Sequence, residues 1–156
     1  MEFVTVHKTD APKVMLIPGL GVSYEIFKPL VELLQGRYAV VAVQVDGFTI
    51  GRHSSFTSID DQASQVIDYI RRECDGCIDC IYGLSLGGKI LSRILERNEV
   101  VVRHAIMDSA PLLALPRWLV GPFGWLQCVN VWSSCRMRGF WSRVFRSRYF
   151  DVLLDE

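Results

Sequence analysis

The stretch Ile78-Asp79-Cys80-Ile81-Tyr82-Gly83-Leu84-Ser85-Leu86-Gly87-Gly88 decides how the rest of the chain reads. Ile78 to Tyr82 is a short, largely apolar run of the kind a buried strand shows, and Leu86 to Arg97 reads as a helix. A tight turn between them lifts Ser85 clear of the sheet. The small neighbours Gly83 and Gly87 allow the close approach of strand and helix that such a turn demands. A serine hydroxyl is a weak nucleophile that needs exposure, a base and donors for an oxyanion. The turn supplies the exposure, and the Leu86 N–H at the helix N-terminus supplies one donor.

Working outward, strands and helices alternate. Phe3 to His7 reads as a short strand. Val14-Met15-Leu16-Ile17 is a continuous apolar strand ended by Pro18-Gly19. Ser23 is an N-cap for a helix over Tyr24 to Leu34, which Gly36 ends. Tyr38 to Val45 is a Val-rich strand closed by Asp46-Gly47, and a polar loop, Gly51 to Thr57, follows. Ser58 caps a second helix, with Asp60 and Asp61 in its first turn and Ala63, Val66, Ile67 and Ile70 on its apolar face. Val100 to Met107 is a further strand, closed by Asp108. The pattern predicts an α/β fold, a parallel sheet with helices on both faces in a three-layer sandwich. In such sheets ligands bind outside the C-terminal strand ends. Pro18-Gly19-Leu20-Gly21, Asp46-Gly47, Gly83-Leu84-Ser85 and Asp108 all fall on that edge.

The bulk numbers agree with one globular core. Half of the 156 residues are hydrophobic, 22% are charged, and the formal net charge is zero. The charge is uneven, with 14 acids and 11 bases in residues 1–108 against 3 acids and 6 arginines in residues 109–156. From Ser109 to Phe150 there is no acid. Pro111, Pro116 and Pro122 break this region into short pieces. Trp118, Trp125 and Trp132 recur every seven residues, and Arg136, Arg138, Arg143, Arg146 and Arg148 lie among aromatics. The reading is a core over residues 1–110 and a helical cap or lid over residues 111–156.

No signal peptide is visible, and no stretch reaches the roughly 18 uncharged apolar residues that span a bilayer. With five cysteines, an odd number, the expectation is a cytoplasmic protein with free thiols. Cys74, Cys77 and Cys80 form a C-x-x-C-x-x-C run. Cys80 lies within the apolar strand, and Cys74 and Cys77 bracket the Asp75-Gly76 turn. A structural role is therefore preferred to a metal site, and neither metal nor cofactor is expected.

These features resemble the α/β-hydrolase family. Gly83-Leu84-Ser85-Leu86-Gly87 fits its G-x-S-x-G, and Pro18-Gly19-Leu20-Gly21 looks like its oxyanion loop. The resemblance runs from about Val14 to Asp108, with the segment beyond resembling the family's cap. It implies Ser85 as nucleophile and the N–H groups of Leu20 and Leu86 as oxyanion donors. Esters, thioesters, lactones and small amides all use this machinery, and the apolar cap segment makes a small or medium carboxylic ester or related acyl compound the expected substrate. Asp108 stands where some members take their acid, and it also reads as a turn residue capping the strand exit. The family's chain order is serine, acid, histidine, yet no histidine follows His104. His104 falls near the start of its strand, His53 precedes the serine, and His7 precedes the first clear strand. None matches the family's base. The expectation is the first part of a longer hydrolase, weak or inert as it stands. A degenerate protein and a site completed by another chain are the other accounts.

Two rivals use the same residues. Gly83 to Lys89 also fits G-x-x-x-x-G-K, a nucleotide phosphate loop, but Ile90 stands where Ser or Thr would ligate Mg²⁺. The arginine-rich aromatic segment could serve as an interaction or membrane-surface module, although its prolines argue against one long interfacial helix. Nucleic-acid binding has no reader motif to support it. Without further strands, exposed apolar surface would promote self-association.

Overall fold

The computed structural model describes residues 1–7, 10–47 and 54–110, together with 121, 122 and 125. The chain divides into two units, Met1–Leu112 and Leu113–Glu156. The region expected to form the cap lies almost wholly outside the described residues.

Among the described residues, the first unit is built on a five-stranded sheet. Its strands are β1 (Glu2–His7), β2 (Lys13–Ile17), β3 (Ala39–Gln44), β4 (Cys77–Leu84) and β5 (Val101–Asp108), in spatial order β1-β3-β2-β4-β5. The helices are α1 (Lys28–Leu34), α2 (Ile59–Glu73) and α3 (Leu86–Arg97). β2, β3, β4 and β5 are parallel, as the alternating pattern predicts.

The sheet as a whole is mixed, because β1 runs antiparallel to β3, with Glu2 opposite Gln44. Chain length explains this departure from an all-parallel sheet. A parallel crossover takes a dozen or more residues. The link from His7 to Lys13 is far shorter, so the chain re-enters the sheet from the edge it has just left. The reversal carries Met1 to the end of β3, where its ammonium pairs with Asp46 at 2.5 Å. Asp46 also accepts from Gln62 at 2.9 Å and Gln65 at 3.0 Å. Burial pushes the Asp46 carboxyl up, but the ammonium and the two amides outweigh it and hold it below the usual carboxylate value.

The two faces of the central strands are covered separately. Met15 and Ile17 of β2 and Val41 and Val43 of β3 pack with Val66, Ile67 and Ile70 of α2 and Ile90, Leu91 and Ile94 of α3. Val14, Leu16 and Val40 point the other way, onto Phe27 and Val31. Strands buried on both faces need apolar side chains at every position, which is why these runs show no polar alternation.

The Tyr24 to Leu34 helix is split, with a 3₁₀ turn at Tyr24–Phe27 preceding α1. Pro29 has no N–H to offer the Glu25 carbonyl, which instead accepts from Lys28 in the tighter pattern. Ser23 caps this turn and Ser58 caps α2, accepting from the Asp61 N–H at 3.1 Å. β5 closes the described sheet and is exposed along most of its length, with Val101 at 58% and Ile106 at 50%. Among the described residues, no helix is long and apolar enough to cross a membrane.

Candidate active site

The carboxyl ends of β2, β4 and β5 meet around Ser85. β4 ends at Leu84 and α3 begins at Leu86, so Ser85 is the whole of the connection. Reversing direction within one residue forces an unusual backbone, with Ser85 at φ 49° and ψ −106°. A side-chain-bearing residue there costs on the order of 1–3 kcal/mol and persists only when its surroundings over-determine it.

Those surroundings are packed against the turn. A Cβ on Gly83 would lie 2.6 Å from the Gly87 carbonyl, and one on Gly88 would lie 2.5 Å from the Ala110 Cβ. A Cβ on Gly87 would overlap the Ile17 carbonyl oxygen. At Gly83 and Gly87 the obstructing atoms are backbone of α3 and of the β2 end, so strand and helix approach too closely there for a side chain, and Ala110, just past β5, closes the space at Gly88. A hydrogen bond adds to the packing, since the Ser85 N–H donates to the Asp108 carbonyl at 2.8 Å.

The Pro18–Gly21 loop arrives at the same point. A Cβ on Gly19 would lie 3.5 Å from the Ser85 Cβ, so Leu20 follows directly after the residue that lies against the serine. Leu20 is 67% exposed. Leu86 is the first residue of α3, where helix N–H groups have no intrahelical acceptor and the helix dipole favours negative charge. The four residues singled out in the sequence (Leu20, Ser85, Leu86 and Asp108) therefore gather at one edge.

Asp108 has two kinds of contact there. Its carbonyl holds Ser85, while its carboxylate accepts from the Tyr82 hydroxyl at 2.7 Å and the Ser109 hydroxyl at 2.8 Å. These two donors hold the Asp108 carboxyl below its usual value. Burial and the neighbouring carboxylate push the Tyr82 phenol up to about 12, so it stays a donor at neutral pH. Tyr82 has no signal in the sequence, because a tyrosine inside an apolar strand carries no sign of where its hydroxyl will find a partner.

The described histidines lie elsewhere. His104 pairs with Cys80 within the strands, four residues before Asp108, or roughly 13 Å at strand rise. His7 lies opposite Val40, at the start of β3 and so at the other edge of the sheet. His53 is outside the described residues. The Cys74 thiol is buried in the core, and burial raises it and Cys80 above their ordinary values. Among the described residues, no group of three His, Cys, Asp or Glu is placed to hold a metal ion. The phosphate-loop reading meets a geometric obstacle, since a single residue between β4 and α3 leaves no loop of amides to wrap a phosphate.

The fold has counterparts among known proteins. The family model for the alpha/beta hydrolase family matches residues 14–155. Among solved structures, a protein from Desulfitobacterium hafniense assigned to that family superposes with a TM-score of 0.65 at 23% identity, over 69% of this chain and 43% of that one. A carboxylesterase from Nitrososphaera gargenis gives 0.63 at 18% identity, over 78% and 46%. The type II thioesterase BorB from the borrelidin biosynthetic cluster gives 0.59 at 23%, over 70% and 49%. The chain thus spans less than half the length of these structures. No curated protein matches it. With most of its length matched by the family model and its strand order, turn and loop arranged as described, the chain belongs to the alpha/beta hydrolase family.

Proposed function

We propose that the chain carries the nucleophile-bearing part of a serine hydrolase acting on a small or medium carboxylic ester or related acyl substrate, thioesters included. The observation that carries this reading is the backbone of Ser85, held at φ 49° and ψ −106° between a strand end and a helix N-terminus. Strain of this kind is retained where it aims a reactive side chain. The carboxylesterase and thioesterase among the structural neighbours support the substrate class.

In this reading the Ser85 Oγ attacks the acyl carbon, and the N–H groups of Leu20 and Leu86 stabilise the resulting oxyanion. The alcohol or thiol leaves, and water then releases the acid from the acyl-serine. Asp108 is the candidate acid, but no described histidine lies within reach to take the Ser85 proton. Removing the base of such a triad costs on the order of 10⁴–10⁶ in rate, with residual catalysis from the oxyanion donors. The chain is therefore expected to hydrolyse p-nitrophenyl acetate feebly and to label slowly with a fluorophosphonate. Both signals should disappear in Ser85→Ala. Labelling that persists in that variant would overturn the assignment. Turnover matching an intact esterase would overturn the expectation of weak activity.

The exposed apolar side chains of β5 support a second expectation, that the chain self-associates. Sedimentation velocity at several concentrations tests it, and a single monomeric species throughout would refute it.

A further inference from the structure

Tyr82 is half-buried on β4, three residues before Ser85, and its ring meets Phe27 edge-on with centroids 5.7 Å apart. That contact fixes the ring, and the fixed ring directs the hydroxyl at Asp108 Oδ2, 2.7 Å away. Ser109 holds the other carboxylate oxygen at 2.8 Å. The side chain of Asp108 is thus gripped at both oxygens while its main-chain carbonyl receives the Ser85 N–H. Asp108 is the last residue of β5, the exposed strand of the described sheet, where fewer neighbours hold the backbone in place.

We infer that Tyr82 is a positioning residue for Ser85: by gripping the Asp108 carboxylate it fixes the strand end whose carbonyl anchors the serine's N–H. The strained turn requires such an anchor. A residue at positive φ relaxes towards an ordinary conformation unless several contacts oppose it, and the Ser85 amide makes one of the few directional ones. Phe27 keeps the ring in place when the hydroxyl is removed, so Tyr82→Phe deletes the grip and spares the packing.

The importance of this anchor for reactivity rests on Ser85 being the nucleophile; the mechanical link does not. The experiment separates the two. Amide hydrogen exchange is measured on the whole chain and on Tyr82→Phe. The Ser85 amide is expected to exchange about tenfold faster in the variant, the size of effect that follows loss of a hydrogen bond to a charged group. The Ile81 amide in the strand interior should be unchanged. The Asp108 carboxyl carbon, followed by NMR, should titrate at higher pH in the variant. Unchanged Ser85 exchange in a folded variant overturns the inference. Should Tyr82→Phe fail to fold, Asp108→Asn serves instead. It weakens the same bond by removing the charge and is expected to speed Ser85 exchange by about threefold; no change there overturns the inference equally. Fluorophosphonate labelling is run in parallel and should slow several-fold in Tyr82→Phe. If the unaltered chain is not labelled at all, the nucleophile assignment falls, while the exchange data still decide the role of Tyr82.

Discussion

The Ser85 N–H donates to the carbonyl of Asp108 at 2.8 Å, joining the β4–α3 turn to the end of the neighbouring strand. One residue of the candidate site is thereby held by the main chain of another. The turn is a shared product of two strands and a helix, and its energetics should show this.

Strain at Ser85 should be measurable as stability. Ser85→Gly removes the penalty for a side chain at φ 49° and is expected to stabilise the protein by about 1 kcal/mol. Ser85→Ala keeps a Cβ and should gain little. Thermal melts of both variants check this. A melting temperature equal in the two would mean that the turn is unstrained.

The glycines around the turn should be intolerant for a different reason. Gly87→Ala would drive a Cβ into the Ile17 carbonyl oxygen, and a cost of about 3 kcal/mol or more is expected. Gly36→Ala meets nothing within 4 Å and should change stability by less than about 1 kcal/mol. Urea denaturation of the pair distinguishes close approach from a general aversion to substituting glycine.

Stability should fall in acid through Asp46. Its folded carboxyl lies below the usual value of about 4, so its contribution is fully present above that value and is lost as pH falls through the depressed one. Asp46→Asn should be less stable at neutral pH and lose less on going to pH 3. Equilibrium unfolding at a series of pH values reads the difference.

Ser58 accepts from the Asp61 N–H at the start of α2. Ser58→Ala should cost about 1 kcal/mol, while Ser58→Asp should retain most of the capping. Denaturation midpoints for the two variants test the cap.

Much of this fold is written locally. The buried face of α2, the caps at Ser23 and Ser58 and the apolar runs of β2 and β3 depend on side-chain periodicity and short-range hydrogen bonding, and they appear where the sequence places them. Two features depended on less obvious local chemistry. Pro29 tightened the start of α1, and the brief link after β1 turned that strand antiparallel. The candidate site divides in the same way. Ser85, Leu20, Leu86 and Asp108 could be placed on one edge from strand order alone, because parallel strands deliver their C-terminal residues to the same side.

By itself the sequence determined the α/β alternation, the Gly83–Gly88 turn and the gathering of its landmarks at one sheet edge. Each of these is a matter of spacing and residue type along the chain. Tertiary structure alone decided that Met1 reaches Asp46, that Tyr82 grips Asp108 and that the Asp108 carbonyl anchors Ser85. Those contacts join residues on different elements, and the direction of a hydroxyl or a carbonyl there is set by packing in three dimensions. No periodicity in the chain encodes it.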